Sequence, residues 1–267
     1  ALGAAGVRGH PQQVGQVKVG GAFHASAWSG TAASWTDLGP ADATESYALG
    51  TSGTQQVGYA VFGGVNHAGL WDGTAGSWVD LAPVGATDSV AYAASGAQQV
   101  GYATVGGVSR ASLWSGTAAS WVDLNPAGSF LSFANGVFGT QQVGQATIGA
   151  TTGACLWTGT AGSWVSLHPD GATFSVANAT SGSQQVGYAY VAGGAQHASL
   201  WSGTAGSWVD LNPAGAAASE ALGVSGNTQV GRATVGSATR ASLWSGTAGS
   251  WEDLSLALPG FWAGTVA

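Results

Sequence analysis

Residues 98–126 read QQVGYATVGGVSRASLWSGTAASWVDLNP, and versions of this stretch recur along the 267-residue chain. A fixed period of this length makes the repeat the unit of folding, because one copy cannot bury its apolar face alone. The valine of the Gln-Val-Gly segment marks six copies at steps of 43, 43, 43, 43 and 44 residues: Val14, Val57, Val100, Val143, Val186 and Val230.

Each repeat predicts four short β-strands. In the third copy, Gly, Ser, Asn and Pro punctuate four strand-like runs, at residues 89–94, 98–105, 110–115 and 121–124. Four strands in about 43 residues are typical of one propeller blade. We therefore predict an all-β, six-bladed β-propeller with four antiparallel strands per blade. It forms a single domain over residues 1–267, with a closing tail at 255–267 and blades at about 1–40, 41–83, 84–126, 127–169, 170–213 and 214–254.

A Ser-x-Ala segment is expected to form the innermost strand of each blade, because only small side chains fit where the blades converge. It recurs at residues 46–48, 89–91, 132–134, 175–177 and 219–221. Residues 4–7 are expected to supply this strand to the first blade, so that every blade is complete in chain order. The Trp-Val-Asp-Leu segment becomes the outer strand, where a following proline discourages further pairing.

Twelve of the thirteen tryptophans belong to the repeat. Trp supplies a large buried area, so we expect the first of each pair to pack between blades. A carbohydrate platform is the alternative for these rings, above all for the second set. The first set is Trp28, Trp71, Trp114, Trp157, Trp201 and Trp244, and the second is Trp35, Trp78, Trp121, Trp164, Trp208 and Trp251.

A cross-strand pair of His or Arg with Asp is expected in five repeats. A turn centred on Gly30-Thr31 would place His24 opposite Asp37, and Ser26 opposite Trp35. In the fourth repeat both partners are missing together, because Gly153 and Ser166 occupy their positions. The Asp positions are therefore assigned a structural role: Asp37, Asp80, Asp123, Asp210 and Asp253.

Composition excludes several classes of protein. Five basic against twelve acidic residues give a net charge of −7, which offers no positive surface for nucleic acid. No apolar run is long enough for a membrane helix, so no membrane insertion is expected. The single cysteine, Cys155, excludes an intrachain disulfide, and its position in a serine slot favours packing over a reactive thiol.

No catalytic motif emerges from the chain. We find no nucleophile elbow, phosphate loop, zinc spacing or calcium loop, and no cofactor or metal site is predicted. The acidic residues outside the repeat positions are expected in the connections between the fourth and first strands: Asp42, Glu45, Asp88, Asp170 and Glu220. The chain is therefore predicted not to be an enzyme.

Variation among the copies indicates where a ligand would bind. The turn between the third and fourth strands barely changes, whereas the connections at the opposite end of the blades differ in every copy. Binding sites concentrate on variable loops carried by a rigid scaffold, although neutral drift would give the same pattern. The candidate ligand face consists of Phe23, Asn66, Ser109, Thr152, Gln196 and Thr239.

The segments Gln-Val-Gly-Tyr-Ala, His-Ala-Ser-Leu-Trp-Ser-Gly and Trp-Val-Asp-Leu-Asn-Pro resemble the bacterial extracellular HAF repeats over residues 1–254. The His-Ala start is kept at His24, His67 and His197, although Ser or Gly replaces the family's Phe. The resemblance implies a secreted or surface-associated bacterial propeller, and it brings no catalytic residues.

Three functional interpretations remain open. The first is a monomeric, non-enzymatic scaffold that binds protein partners, and the second is a multivalent lectin. The third is a designed or recently amplified propeller with no evolved ligand.

Overall fold

The computed structural model describes residues 12–191 and 193–257. The chain divides into two compact units, Ala1–Asp123 and Leu124–Ala267. Each unit holds three antiparallel sheets, numbered 1 to 6 along the chain. The boundary between the units falls at the end of the third repeat, between sheets 3 and 4.

Sheets 1 to 3 contain eleven strands. They are β1 (Gln13–Val19), β2 (Ala22–Trp28) and β3 (Thr36–Asp37) in sheet 1; β4 (Glu45–Ser52), β5 (Gln55–Phe62), β6 (Val65–Asp72) and β7 (Val79–Asp80) in sheet 2; and β8 (Ala86–Ser95), β9 (Gln98–Val105), β10 (Val108–Trp114) and β11 (Val122–Asp123) in sheet 3.

Sheets 4 to 6 contain twelve. They are β12 (Ser129–Phe138), β13 (Gln141–Ile148), β14 (Thr151–Trp157) and β15 (Val165–Ser166) in sheet 4; β16 (Phe174–Thr180), β17 (Gln185–Tyr190), β18 (Gln196–Trp201) and β19 (Val209–Asp210) in sheet 5; and β20 (Ala216–Ser225), β21 (Thr228–Val235), β22 (Ala238–Trp244) and β23 (Glu252–Asp253) in sheet 6.

The strands of sheets 2 to 6 follow one another in chain order, which confirms the predicted all-β chain with four antiparallel strands per repeat. Sheet 1 shows three strands, and the inner strand expected at residues 4–7 lies outside the described part of the chain. Most of the predicted tail also lies outside it; its first residues belong to a 3₁₀ helix, Leu254–Ala257. Six further 3₁₀ turns precede the short fourth strands, at Ala32–Ser34, Ala75–Ser77, Ala118–Ser120, Ala161–Ser163, Ala205–Ser207 and Ala248–Ser250.

Neighbouring sheets within each unit pack an aliphatic face against a tryptophan face, as the alternation of side chains predicts. Val57, Leu70 and Leu81 of sheet 2 enclose Trp114 of sheet 3, and Leu200 and its neighbours in sheet 5 enclose Trp244 of sheet 6. Both indoles are fully buried. Each such ring supplies one of the largest buried apolar surfaces that a side chain offers.

Sheet 6 exposes the aliphatic side chains that its predecessors bury. Val230 of β21 is 43% exposed, whereas Val57, Val100, Val143 and Val186 at the equivalent positions are 0% exposed. Leu254 is 41% exposed, whereas the equivalent Leu211 is fully buried.

Buried serines and glutamines join adjacent sheets by hydrogen bonds. The Ser46 hydroxyl accepts the Ala25 N–H of the preceding sheet at 2.9 Å, and Ser219 accepts the Ala198 N–H in the same way. Gln99, which is fully buried, donates to the side chain of Gln55 in sheet 2 at 2.8 Å. The small serine and the repeated glutamine are thus required for their polar atoms as well as for their size.

The glycine of Gln-Val-Gly permits a close approach between the first and second strands. A Cβ at Gly58 would lie 1.9 Å from the Tyr47 carbonyl oxygen. The pairing of β4 with β5 shifts by one residue between Ala48 and Gly50, next to this contact. Gly101, Gly144, Gly187 and Gly231 show the same approach in the next four sheets.

The predicted register of the third and fourth strands is wrong. Ser26 pairs with Asp37, and the fourth strand begins only after the 3₁₀ turn that contains Ala33, so Trp35 is not opposite Ser26. His24 still reaches Asp37, because its ring extends diagonally across two residues.

We predict that Gly58→Ala lowers the free energy of unfolding by about 3 kcal/mol or more, because the new methyl group overlaps a backbone carbonyl. Urea denaturation measures the change. Gly76→Ala is the matched control, because no heavy atom lies within 4 Å of its Cβ position and alanine already occupies the equivalent site at Ala33. Equal effects of the two substitutions would contradict the explanation.

Candidate functional site

The six residues of the predicted ligand face all lie at the start of the strand that precedes the short last strand of a sheet. Phe23, Asn66, Ser109, Thr152 and Thr239 are second in β2, β6, β10, β14 and β22, and Gln196 is first in β18. Ser109 and Thr152 are hydrogen-bonded to threonines on the preceding strand. Gln196 and Thr239 line one cleft.

This cleft lies between sheets 5 and 6 and has a volume of about 200 Å³. Strand pairing explains the placement of its polar groups, because Glu220 of β20 is directly opposite Arg232 of β21. Thr234 is in turn opposite Thr239 of β22. The full lining is Gln196, Ala218, Ser219, Glu220, Arg232, Thr234 and Thr239.

Glu220 is buried, and both of its carboxylate oxygens accept hydrogen bonds. Oε2 accepts hydrogen bonds from Arg232 Nη2 at 2.7 Å and Nε at 3.0 Å. Oε1 accepts one from Asn178 Nδ2 at 3.2 Å. The Arg232 side chain is 60% exposed while that of Glu220 is 11% exposed, so the carboxylate holds a guanidinium that faces solvent. An arginine held in this way presents its remaining N–H donors in a fixed plane.

Three aromatic rings of sheet 5 pack against one another near the cleft, since Tyr190 is paired with Gln196 of its lining. Tyr188 stacks on Phe174 at 6.0 Å and meets Tyr190 edge-on at 5.9 Å. Burial and then the Glu220 charge raise the pKa of Tyr188, while Arg232 lowers it. The lining of the cleft itself combines an ion pair, hydroxyl groups and an amide.

The structure corrects the placement of the acidic residues. Glu45, Asp88 and Glu220 lie within β4, β8 and β20 rather than in connections. The signal was present in the sequence, because Glu220 is the central residue of a Ser-x-Ala segment in which the other copies carry Tyr, Val or Phe. Arg232 likewise follows the Gln-Val-Gly glycine, where three copies carry tyrosine.

Tyrosines and carboxylates form a second cluster, in sheets 2 and 3. Tyr47 donates to Glu45 at 2.9 Å and stacks on Tyr59 at 4.8 Å. Tyr102 donates to Asp88 at 2.6 Å. Burial, reinforced by the Glu45 contact, raises the pKa of Tyr47 to about 12. Burial and Asp88 raise the pKa of Tyr102 as well, so these phenols remain protonated at neutral pH.

The His–Asp and Arg–Asp pairs are present in five sheets. The shortest are His197 Nδ1 to Asp210 Oδ2 and Arg110 Nη1 to Asp123 Oδ2, both at 2.7 Å. The Asp210 Oδ1 also accepts the Asn212 N–H at 2.8 Å. Partly exposed pairs of this kind contribute about 0–1 kcal/mol each, and their main effect is to position the chain after the fourth strand.

The fourth sheet has a recess where the others have this pair. It has a volume of about 180 Å³ and is lined by Ala146, Ile148, Thr151, Gly153, Ala154, Trp164, Ser166 and His168. Beside it, His168 Nε2 donates to the Ala172 carbonyl at 3.0 Å, so its Nδ1 accepts from Ser175 at 2.8 Å. The imidazole thus replaces an amide, since Asn212 makes the same two contacts in sheet 5.

Cys155 also distinguishes this sheet. It is fully buried, and burial raises the pKa of its thiol. Trp121 and Trp208 donate their indole N–H to Ser112 and Ser199 at 2.8 and 2.9 Å. In sheet 4 the Cys155 thiol, a weak acceptor, takes the place of the serine hydroxyl beside the Trp164 indole.

The second tryptophans are partly accessible. Trp35 is 40% exposed, and the other five are partly buried. Trp251 lines an outer groove of about 390 Å³ with Asn212 and Pro213, and Trp164 lines a comparable groove of about 380 Å³ with Asn125 and Pro126. The first tryptophans are fully buried, except for the partly buried Trp28.

Two further observations concern residues 12–191 and 193–257. No helix in these segments is sufficiently long and apolar to span a membrane. Nor do they bring three or more His, Cys, Asp or Glu side chains together in a way that could hold a metal ion.

Solved structures resemble this chain in fold. It matches TolB from Acinetobacter baumannii with a TM-score of 0.56 and 10% sequence identity, over 90% of this chain and 62% of that one. It matches the BP39L lectin from Burkholderia pseudomallei with a TM-score of 0.52 and 20% identity, over 90% of this chain and 79% of the lectin. The chain thus spans less than two thirds of the TolB length.

No family model matches the chain, and no curated protein matches it significantly in sequence. At these identities the structural matches show the fold alone. Together with the six sheets they confirm the six-bladed β-propeller fold.

Stability should fall as the pH rises from about 10 to 12. Tyr47 and Tyr92 have folded-state pKa values of about 12, against 10.0 for an unperturbed phenol, so the folded state binds more protons in this range. Their contribution is complete below pH 10 and is lost as the pH approaches 12. Thermal melts from pH 8 to 12 measure the effect. Tyr47→Phe should give a shallower decline, and an unchanged slope would contradict the assignment.

Cys155→Ser should raise the free energy of unfolding by about 1 kcal/mol, because the new hydroxyl accepts the Trp164 indole N–H. Ser112→Cys in sheet 3 is the matched reversal and should lower it by a similar amount. Urea denaturation of both variants provides the measurement. A loss of stability in Cys155→Ser would contradict this prediction. It would show that the packing of the thiol stabilises the protein more than the new hydrogen bond does.

Proposed function

We propose that this chain is a non-enzymatic binding module of secreted or surface-associated type, and that its ligand is a saccharide bound in the Glu220–Arg232 cleft. The observation that carries the proposal is the exposed Arg232 guanidinium held by a buried carboxylate. Its N–H groups are directed by contacts within the protein, so little freedom is lost when they bind a ligand.

The surrounding groups suit a hydroxyl-rich ligand. Thr234, Thr239 and Gln196 provide donors and acceptors around the ion pair. Saccharides present several hydroxyl groups close together, which such a set of donors and acceptors can bind. The volume of about 200 Å³ is suited to a single sugar unit rather than to a protein surface.

Two further points support the class of function. The fold is similar to that of a lectin, which supports a saccharide-binding role but does not transfer a site. The extracellular location rests on the resemblance to HAF repeats. The non-enzymatic character rests on the roles of the titratable groups described above: the His–Asp pairs and the tyrosine–carboxylate contacts are accounted for by structural hydrogen bonds.

Arg232→Lys should weaken saccharide binding about tenfold or more, because lysine keeps the charge but loses the planar pair of donors. A glycan array identifies the ligand, and calorimetry then measures the affinity. Arg240→Lys is the matched control, since Arg240 lies in the same sheet and pairs with Asp253 away from the cleft lining. Equal affinities of wild type and Arg232→Lys would place the binding site elsewhere.

A protein partner is the second candidate function. Phe130, at the start of β12, is 67% exposed, and exposed aromatic rings are typical of protein interfaces. An array without binding across broad sugar classes would exclude the saccharide and favour this candidate.

A further inference from the structure

The recess in sheet 4 results from a paired substitution. Gly153 stands where the other repeats carry His or Arg, and Ser166 where they carry Asp. In sheet 5 the equivalent side chains, His197 and Asp210, fill this space and bond to each other at 2.7 Å. Loss of either partner alone would leave an unpaired, partly buried group, whereas their joint loss leaves an uncharged hollow.

The hollow is walled mainly by apolar groups. Trp164, Ile148 and Ala146 contribute apolar surface, and Gly153 contributes only backbone. His168 and Ser166 of the wall have partners within the protein. Both ring nitrogens of His168 are hydrogen-bonded, and the Ser166 hydroxyl accepts the backbone N–H of His168 at 3.2 Å.

The volume of the sheet 4 recess, about 180 Å³, is sufficient for one aromatic ring, since roughly 150 Å³ accommodates benzene. The recess is open to solvent, because Ile148 in its wall is 37% exposed. Trp164 provides an indole beside which an aromatic ring can pack face to face or edge to face. The Ser166 hydroxyl can still donate one hydrogen bond to a polar substituent.

We propose that the sheet 4 recess is a binding site for a small ligand bearing one apolar aromatic ring, packed against Trp164 in the space of the missing pair. This site differs from the saccharide cleft in sheets 5 and 6, and it does not depend on that proposed function. It is a single site, because the other described sheets keep the pair.

The test uses 5-fluoroindole and the full chain, with ¹⁹F NMR to avoid the signals of the thirteen tryptophans. We expect saturable binding with a Kd of roughly 1 mM, as for other ligands of this size. The Trp164 indole N–H resonance should shift on titration. Absence of saturable binding up to about tenfold above that concentration would overturn the proposal.

Restoring the pair should abolish the site. A Cβ at Gly153 would lie 3.1 Å from His168 Cβ, so the restored pair also requires His168→Asn, the residue of sheet 5. Gly153→His combined with Ser166→Asp and His168→Asn refills the hollow and should weaken binding at least about tenfold. If this variant does not fold, Gly153→Arg with the same two other substitutions offers the alternative pair, found at Arg110 and Asp123. Unchanged affinity in a folded restored variant would place the ring in the adjoining outer groove and refute the assignment.

The opposite exchange gives a gain of function. His197→Gly with Asp210→Ser should open an equivalent recess in sheet 5, beside Trp208, and raise the number of bound 5-fluoroindole molecules from one to two. Retention of one site in this folded variant would show that the missing pair alone does not create the binding space.

Discussion

Within each unit, the structure depends on the burial of the first tryptophan of a repeat by the sheet that precedes it. Trp71, Trp114, Trp201 and Trp244 insert into an aliphatic hollow that their own sheet does not supply. No sheet can therefore bury its apolar face alone. This explains why the repeats keep the same length and the same order of strands. The hydrogen bonds from serine and glutamine side chains then set the distance between neighbours, since a shift would leave buried polar groups unpaired.

Most of this architecture could be predicted from the sequence. The period of about 43 residues predicted the number of sheets. The alternation of side chains along the strands predicted which face of a sheet is aliphatic and which carries tryptophan. The repeated glycine and serine positions indicated where neighbouring strands and sheets come close together. The register of the short fourth strand could not be predicted, because a 3₁₀ turn replaces the hairpin expected around Gly30-Thr31. Such turns are specified by local backbone hydrogen bonds that side-chain alternation does not reveal.

The candidate site was predictable only in part. Two residues of the predicted ligand face, Gln196 and Thr239, line the cleft. Glu220 was assigned to a connection between strands, and Arg232 was not among the predicted site residues. Two opposite charges at cross-strand positions are a stronger signal than loop variation, since a buried carboxylate requires a partner. In the fourth repeat, by contrast, the joint absence of two residues was visible in the sequence, but the space it leaves depends on how the neighbours pack.

The exposed aliphatic face of sheet 6 has an evolutionary consequence. Val230 is 43% exposed and Leu254 is 41% exposed, whereas within each unit the equivalent leucines Leu38, Leu81, Leu167 and Leu211 pack against the tryptophan of the following sheet. A side chain that remains in contact with water buries little apolar area, so its size matters less to stability. Selection should therefore tolerate more amino-acid replacement at Val230 and Leu254 than at the same positions of the earlier repeats.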